Sequence, residues 1–402
     1  MREEQKGEPE VAVAAIERFR MLSRRGALLC LSLLALGAAF PLVAAVLPED
    51  AAEVLYHNYD GGGMKIDGPS LLLRKNVGDQ FSLTANYYVD SISAASVDVV
   101  ATASEYKEER TEYSAGVDFL NDKTLMSLGY TNSTENDFEA NTVHFSVSQD
   151  MFGDLTTLTM GVAKGWDSVR MVGNDTFSDE VDRNNYQLGV TQVLTRNLLL
   201  GLSYETITDE GFLNNPYRQV RYLDPENTSK GYSYQAEVYP RTRTSNAFAI
   251  RSLYYLPYRA SFKAEYRYFN DTWGIRAHSF ELGYVHPLKD QWILEGRYRL
   301  YAQDKAEFYS DLFDFRDAQS FLARDKELST FTNNTFGGGV TYLLGQNLIS
   351  GIEKGEVSLL IDYMVFNYDD FRDVTQSGFE PGSEPLYEFD AIVTRLYMTL
   401  NY

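Results

Sequence analysis

Three consecutive stretches of this chain carry charge on alternate residues. Lys263, Glu265 and Arg267 alternate with Phe262, Ala264, Tyr266 and Tyr268. Glu281 lies opposite Phe280, Leu282 and Tyr284, and Glu295, Arg297 and Arg299 lie opposite Leu294, Tyr298 and Leu300. A period of two puts the charges on one face of an extended strand and the large apolar residues on the other. Should the aromatic faces meet lipid, one wall of an enclosed lumen would carry three Glu, three Arg and a Lys. Two chemistries suit that wall. Ion pairs would stiffen it and satisfy charges in a wet interior. Alternatively, it would form a constriction whose transverse field selects permeating solutes, since pore selectivity comes from lining charge and width.

Other chemistry finds little support. No Walker loop, dinucleotide glycine fingerprint or nucleophile elbow occurs. Gly337-Gly338-Gly339 is followed by Val340-Thr341-Tyr342, which continues a strand instead of opening a helix, so the run reads as room for neighbouring side chains. The four histidines, His57, His144, His278 and His286, lack metal-ligand spacing. Asp271 and His278 flank Trp273-Gly274 and can meet at one hairpin tip, where a loop clamp of Asp271, Trp273 and His278 is the simplest use for them. No serine stands in defensible register with a histidine and a carboxylate, so no enzyme is expected. Nothing calls for a cofactor. The long link Asp304–Ser329 holds Phe308, Tyr309, Phe313, Phe315 and Phe321, more aromatics than a solvated loop needs. Inward folding as a plug, capping of a rim, or a partner site would each account for them.

The elements that must position these residues are strands. Segments of about nine to twelve alternating residues recur from residue 79 onward, the length that crosses a bilayer as a tilted strand. Tyr113, Ala115, Val117 and Phe119 alternate with Glu112, Ser114, Gly116 and Asp118, and Leu198, Leu200, Leu202 and Tyr204 with Leu199, Gly201, Ser203 and Glu205. An apolar core would not hide Glu112, Asp118 or Glu205 unpaired. Tight turns at Asn121-Asp122, Gly153-Asp154, Arg196-Asn197 and Lys289-Asp290 alternate with long polar links at 91–109, 167–182, 209–245, 304–328 and 369–385. Fourteen strands follow from residue 79, and a hairpin of Glu53–Tyr59 with Met64–Asn76 makes sixteen. In the last strand Leu396, Met398, Leu400 and Tyr402 share one face, and its aromatic end resembles the terminal signal that barrel assembly machinery reads. The expected fold is an all-β transmembrane antiparallel up-and-down barrel of about 16 strands, with 14 as the alternative, short periplasmic turns and long extracellular loops. A soluble sandwich would need large aliphatic residues on its inward face instead of Gly, Ser and Thr.

The start of the chain fits export. Ser23-Arg24-Arg25 is a basic flank, Gly26 to Ala39 is apolar, and Val43-Ala44-Ala45 supplies small residues for cleavage. Residues 1–45 are read as a signal peptide, with Met21 as the expected true start, and 46–402 as a single barrel domain. Cys30 leaves with the signal, so no disulfide is expected. Of 36 basic and 57 acidic side chains, residues 1–45 hold six and five, leaving 30 and 52 and a net charge of -22. That surface argues against nucleic acid. It suits outer-membrane lipid and lipopolysaccharide, to which acidic external loops can be held by divalent cations.

From Val238 to Asp311 the chain resembles an uncharacterised family of Gram-negative outer-membrane proteins. The matching residues are Glu265-Tyr266-Arg267-Tyr268, Asp271-Thr272-Trp273-Gly274-Ile275, His278, Tyr298-Arg299-Leu300-Tyr301, Gln303, Ala306, Phe308 and Tyr309. Asp90 to Ser96 resembles the family's N-terminal signature, with Ala94 where members usually carry Gly. The resemblance implies a barrel and a compartment and no mechanism. A channel for small solutes and a non-conducting scaffold that anchors an envelope partner remain the competing functions. The mature protein should begin near Val46. N-terminal sequencing of the membrane-extracted protein checks this, and a retained Met1 would refute it.

Overall fold

The computed structural model describes residues 46–94, 106–345 and 351–402; residues 1–45, expected as a signal peptide, and Ala95-Ser96 of the N-terminal signature lie outside the described residues. The first nine strands are β1 (Ala51–Gly61), β2 (Met64–Val77), β3 (Phe81–Ala94), β4 (Tyr106–Asn121), β5 (Thr124–Thr134), β6 (Phe138–Met151), β7 (Thr156–Arg170), β8 (Ser178–Thr195) and β9 (Leu198–Gly211). A small hairpin follows, β10 (Gln219–Leu223) with β11 (Tyr232–Ala236). The rest are β12 (Thr242–Tyr255), β13 (Ser261–Asp271), β14 (Arg276–Leu288), β15 (Trp292–Gln303), β16 (Phe331–Leu344), β17 (Lys354–Arg372) and β18 (Leu386–Asn401).

Each strand except β10 and β11 pairs antiparallel with its neighbours, and β1 pairs with β18 from Ala51↔Asn401 to Gly61↔Ala391. The result is a closed barrel of sixteen strands. Closure leaves no strand edge facing lipid, where an unpaired backbone group would cost several kcal/mol. At the short-turn end the Tyr402 hydroxyl, just past β18, reaches over β1 and donates to the Arg74 carbonyl of β2 at 3.0 Å.

The pleat sorts side chains as the alternation requires. Leu71, Tyr87, Phe145, Leu188, Phe248, Phe280, Phe336 and Leu396 are exposed on the outer face, while Glu53, His57, Glu205, Lys263, Asp362 and Arg395 are buried on the inner one. Most turns at the terminus-bearing end are tight: Asp122 (φ 54°) and the left-handed run Phe152-Gly153-Asp154 make two of them. Long connections lie at the opposite end, the extracellular one by the rule for bacterial barrels. Some links there are short: 135–137, 272–275 and Gly62-Gly63, the last with both residues at positive φ as a two-residue hairpin turn demands.

The inner face departs from expectation in its extracellular third. There Tyr59, Ile66, Val169, Val181, Phe269, Phe331, Phe366 and Val393 form an apolar ring, and it is packed with Trp273, Ile275, Ala306, Phe308, Tyr309 and Leu328 from the loops. The lumen is therefore polar below and apolar above. Strand lengths also exceed the sequence estimate there: β7 and β8 run through most of 167–182, and β10 and β11 occupy part of 209–245. Because detergent finds no edge to open, the unheated protein should migrate faster on an SDS gel than the boiled one. Equal mobility would refute the closed ladder.

Candidate functional site

The strand parity that sends Phe262, Tyr266, Phe280 and Leu300 outward turns Lys263, Glu265, Arg267, Glu281, Glu295, Arg297 and Arg299 into the lumen. The structure brings them onto one wall. Lys263 Nζ lies 2.8 Å from Glu281 and 3.5 Å from Glu265, and Arg251 Nε reaches Glu265 at 2.7 Å. Arg267 extends across to Glu205 at 3.2 Å, whose carboxylate also accepts from Asn185 and Gln187 at 2.9 and 3.0 Å. Arg297 and Arg395 both bind the Asp362 carboxylate, Arg297 at 2.7 Å. Among the described residues Arg299 has no carboxylate within ion-pair distance, although Glu281 is its cross-strand neighbour; its Nε donates to the Ser279 hydroxyl at 3.1 Å and its guanidinium lies 5.7 Å from the Tyr301 ring.

The glycine run supplies the room for this network. A Cβ on Gly337 would sit 2.2 Å from Asp362 Oδ1 and 3.3 Å from Arg297, and one on Gly339 would sit 2.6 Å from Glu295 Cγ. Gly338 points the other way and pairs with Gly296 on the outer face. Lys263, Glu281, Glu295, Arg297, Asp362 and Arg395 border a space of ≈ 40 Å³, enough for a few waters to complete their hydrogen bonding. A buried pair of this kind costs several kcal/mol to break from one side, because the remaining charge is stranded.

The facing wall is built differently. Asp90 on β3 accepts from His57 Nε2 at 2.8 Å and from Arg110 at 2.6 Å, while Tyr88 stacks on His57 with ring centroids 5.3 Å apart. His57 reaches Asp90 over Gly68, which stands between them on β2 without a side chain. Among the described residues, the inward faces of β3 to β9 carry nine carboxylates (Asp90, Glu108, Glu112, Asp118, Asp150, Asp167, Asp179, Glu205 and Asp209) against two cations, Arg110 and Arg183. Among the described residues, Glu112, Asp118 and Asp167 have no cation within ion-pair distance, although Arg110 shares the inward face of β4 with Glu112 and Asp118. On β12 to β18, by contrast, seven inward cations (Arg243, Arg251, Lys263, Arg267, Arg297, Arg299 and Arg395) roughly balance the carboxylates around them.

Above both walls three loops close the lumen. Arg221 on β10, with no exposed surface, binds Glu384 through both carboxylate oxygens and also binds Asp311. Those three residues come from the β9–β12, β15–β16 and β17–β18 connections. Arg324 adds a 2.9 Å pair with Asp311, a 2.9 Å bond to the Arg372 carbonyl and a contact 4.5 Å above the Phe371 ring. Single backbone bridges, Tyr222↔Phe313 and Val238↔Leu322, knit the same loops. The aromatics of Asp304–Ser329 divide: Phe308, Tyr309 and Phe313 are buried in this cap, and Phe315 and Phe321 are exposed.

The expected loop clamp forms without His278. Asp271 accepts from the Trp273 and Ile275 amides at 3.0 and 2.9 Å and from Arg243 Nε at 2.8 Å, and the Trp273 indole donates to the Thr242 carbonyl at 3.0 Å. His278 faces outward, where its Nδ1 meets the Tyr266 hydroxyl at 2.8 Å. Parity decides this: in β14 it shares the face of Phe280, opposite Ala277. Sequence reasoning also missed Asp362, Arg395 and Arg251 as members of the wall. Each sits on the polar side of its strand, so the parity that found Arg297 was sufficient to find them; their partners are cross-strand and were not. Arg221 and Arg324 carried no such signal, since a cap has no period.

A closed antiparallel barrel with an apolar outer band and a charged interior is the fold of outer-membrane β-barrel proteins. The chain belongs to the family described as Protein of unknown function (DUF3570), whose model matches residues 97–363. That match extends well beyond Val238–Asp311 and begins just after Asp90–Ser96. None of the curated proteins matches the sequence. Among solved structures, the chain is similar to a bacterial polysaccharide outer membrane secretin at 10% identity, with 90% of this chain and 99% of that one covered and a TM-score of 0.47. It is also similar to the CymD monoaromatic hydrocarbon channel at 9%, with 89% of each chain covered and a TM-score of 0.41. A Pseudomonas aeruginosa FadL homologue gives 11%, 90% and 93%, with a TM-score of 0.42.

One carboxyl in the cap titrates near neutrality. Burial, then the charge of Asp325, pushes Glu237 up to about 7 from an ordinary value of 4.5. It accepts from the Tyr239 hydroxyl at 2.8 Å and the Arg324 amide at 2.7 Å. A raised carboxyl favours the folded cap in acid, fully below the unfolded pKa, and that share is lost as pH rises through about 7. Protease cleavage within Asp304–Thr330 of the folded barrel should therefore be faster at pH 8 than at pH 5. Glu237→Gln should flatten the difference, and an unchanged pH profile would refute the assignment.

Proposed function

We propose that this protein is a gated pathway for small polar solutes in the outer membrane of a Gram-negative bacterium, with the loop cap as its gate. The observation that carries the reading is the placement of so many ionisable groups on the inward faces below the cap. A barrel serving only as an anchor is more cheaply filled with apolar side chains, since each buried charge must recover its desolvation cost through a partner. Here the charges border small polar residues and a wet interior. Their pairing keeps the wall rigid while the groups left without an ion partner face the lumen. The cap is joined to the rim by ionic and backbone contacts among three loops, which can part without breaking the barrel ladder. We attach no reaction and no cofactor to this reading.

One observation favours the alternative of a non-conducting scaffold. The single guanidinium of Arg221 is wholly buried among carboxylates of two other loops, which gives a tight cap that can present a surface to an envelope partner. Planar-bilayer recording separates the two. Wild-type barrel should show rare, brief ion steps, and Arg221→Ala together with Glu384→Ala should raise the open fraction on the order of tenfold, the effect of losing about 1.4 kcal/mol from the closed state. Silence in both proteins, each heat-modifiable on a gel, would overturn the pathway in favour of the scaffold.

A further inference from the structure

The wall of β3 to β9 carries more negative charge than its cations answer. Of its nine inward carboxylates, Asp209 is met by Arg183, Asp90 by Arg110, Glu205 by Arg267 and Asp179 by Arg241. Arg110 shares the face of β4 with Glu112 and Asp118 but binds Asp90 at 2.6 Å. The lower edge of this wall also leaves acceptors unanswered. Asn76 at the end of β2, Ser82 at the start of β3 and Asp118 on β4 stand directly opposite one another on adjacent strands, which sets neighbouring Cβ atoms roughly 5 Å apart. Ser82 has no exposed surface, and neither its hydroxyl nor Asn76 Oδ1 has a hydrogen-bond partner among the described residues. The Asn76 amide is oriented, because its Nδ2 donates to the Pro48 carbonyl at 3.0 Å. Asp118 accepts from the Ser127 hydroxyl at 2.5 Å through Oδ1, which leaves Oδ2 open. Arg74, two residues from Asn76 on the same face, pairs instead with Glu53 on β1 at 4.0 Å.

We infer that the pathway carries small cationic solutes bearing an ammonium group, and that Asn76, Ser82 and Asp118 receive that group near the short-turn mouth. The inference rests on the gated-pathway reading and names its substrate class. An ammonium brings three donors and no acceptor. Three acceptors lie side by side here: an amide oxygen, a hydroxyl oxygen and the second oxygen of a carboxylate. An anion would find one donor, the Ser82 hydroxyl, beside a negative charge. Over longer range the excess charge of the wall gathers cations, because lining charge of one sign between low-dielectric walls raises the local concentration of the other. On β12 to β18 the inward cations are roughly balanced by the carboxylates around them, so that wall does not cancel the preference. A single carboxylate at the receiving site also lets the solute leave, as conduction demands.

The test uses the full barrel in planar bilayers, with Arg221→Ala plus Glu384→Ala to loosen the cap. Reversal potentials are read in gradients of the chloride salts of ethanolammonium and of tetramethylammonium, a small cation without N–H donors. Both cations should pass more readily than chloride, by roughly fivefold, and ethanolammonium roughly threefold more readily than tetramethylammonium. Ser82→Ala should bring the ratio of the two cations to about one while the preference over chloride stays. Asp118→Asn should lower both ratios, so that failure of one variant to fold leaves the other decisive. Asp60→Asn, a carboxylate exposed on the outward face of β1, should change neither. Conducting barrels that pass chloride as readily as the cations would overturn the selectivity and leave the pathway standing. An ethanolammonium preference that survives Ser82→Ala and Asp118→Asn, or that falls equally with Asp60→Asn, would overturn the assignment to this site. Barrels that are heat-modifiable on a gel yet silent in every salt would remove the pathway and the selectivity with it.

Discussion

Everything in this molecule depends on the pairing of β1 with β18. A membrane offers no water to an unpaired amide, so fifteen adjacent pairings without the sixteenth would leave two edges in lipid. Closure fixes the register around the whole ladder, and register fixes parity. From parity alone follow the outer band of Leu, Phe and Tyr and the inner array of charge, because a slip of one residue would turn Arg297 and Arg299 to lipid and Leu300 to water. An arginine at the bilayer midplane costs roughly 2–4 kcal/mol. The charged interior is thus itself a lock on the register.

Within that frame glycine decides which charges can meet. Gly68 lets His57 span a strand to Asp90, and Gly337 lets Arg297 and Asp362 join across β16. Ion pairs between next-nearest strands tie the wall more broadly than neighbours could.

The barrel was legible because its signal is periodic. Alternation placed the sixteen strands, including the weak hairpin of β1 and β2, and the terminal aromatic strand marked where the ladder closes. Lys263, Glu265, Arg267, Glu281, Glu295, Arg297 and Arg299 were assigned to one face for the same reason. Partnership was not legible. Nothing local says that Arg297 meets Asp362, sixty-five positions later, or that Arg267 meets Glu205 across β12. The cap was the least readable part. Its aromatic content signalled that Asp304–Ser329 is no ordinary loop, but the contacts of Arg221 join segments that share neither period nor neighbourhood. His278 shows the opposite error, a plausible hairpin-tip partner excluded by one residue of parity.

The cap's construction carries a consequence for how its exterior can change. Arg221, Asp311 and Glu384 are supplied by three separate connections, yet they form one buried cluster. A length change in any one of those loops must be absorbed before it reaches that cluster or it strands a charge in the other two. The roots of the three loops are therefore bound to vary together, whereas their tips, such as the segment bearing Phe315 and Asp317, answer to no such constraint. Sequence and length can thus drift at the tips while the seal beneath stays the same.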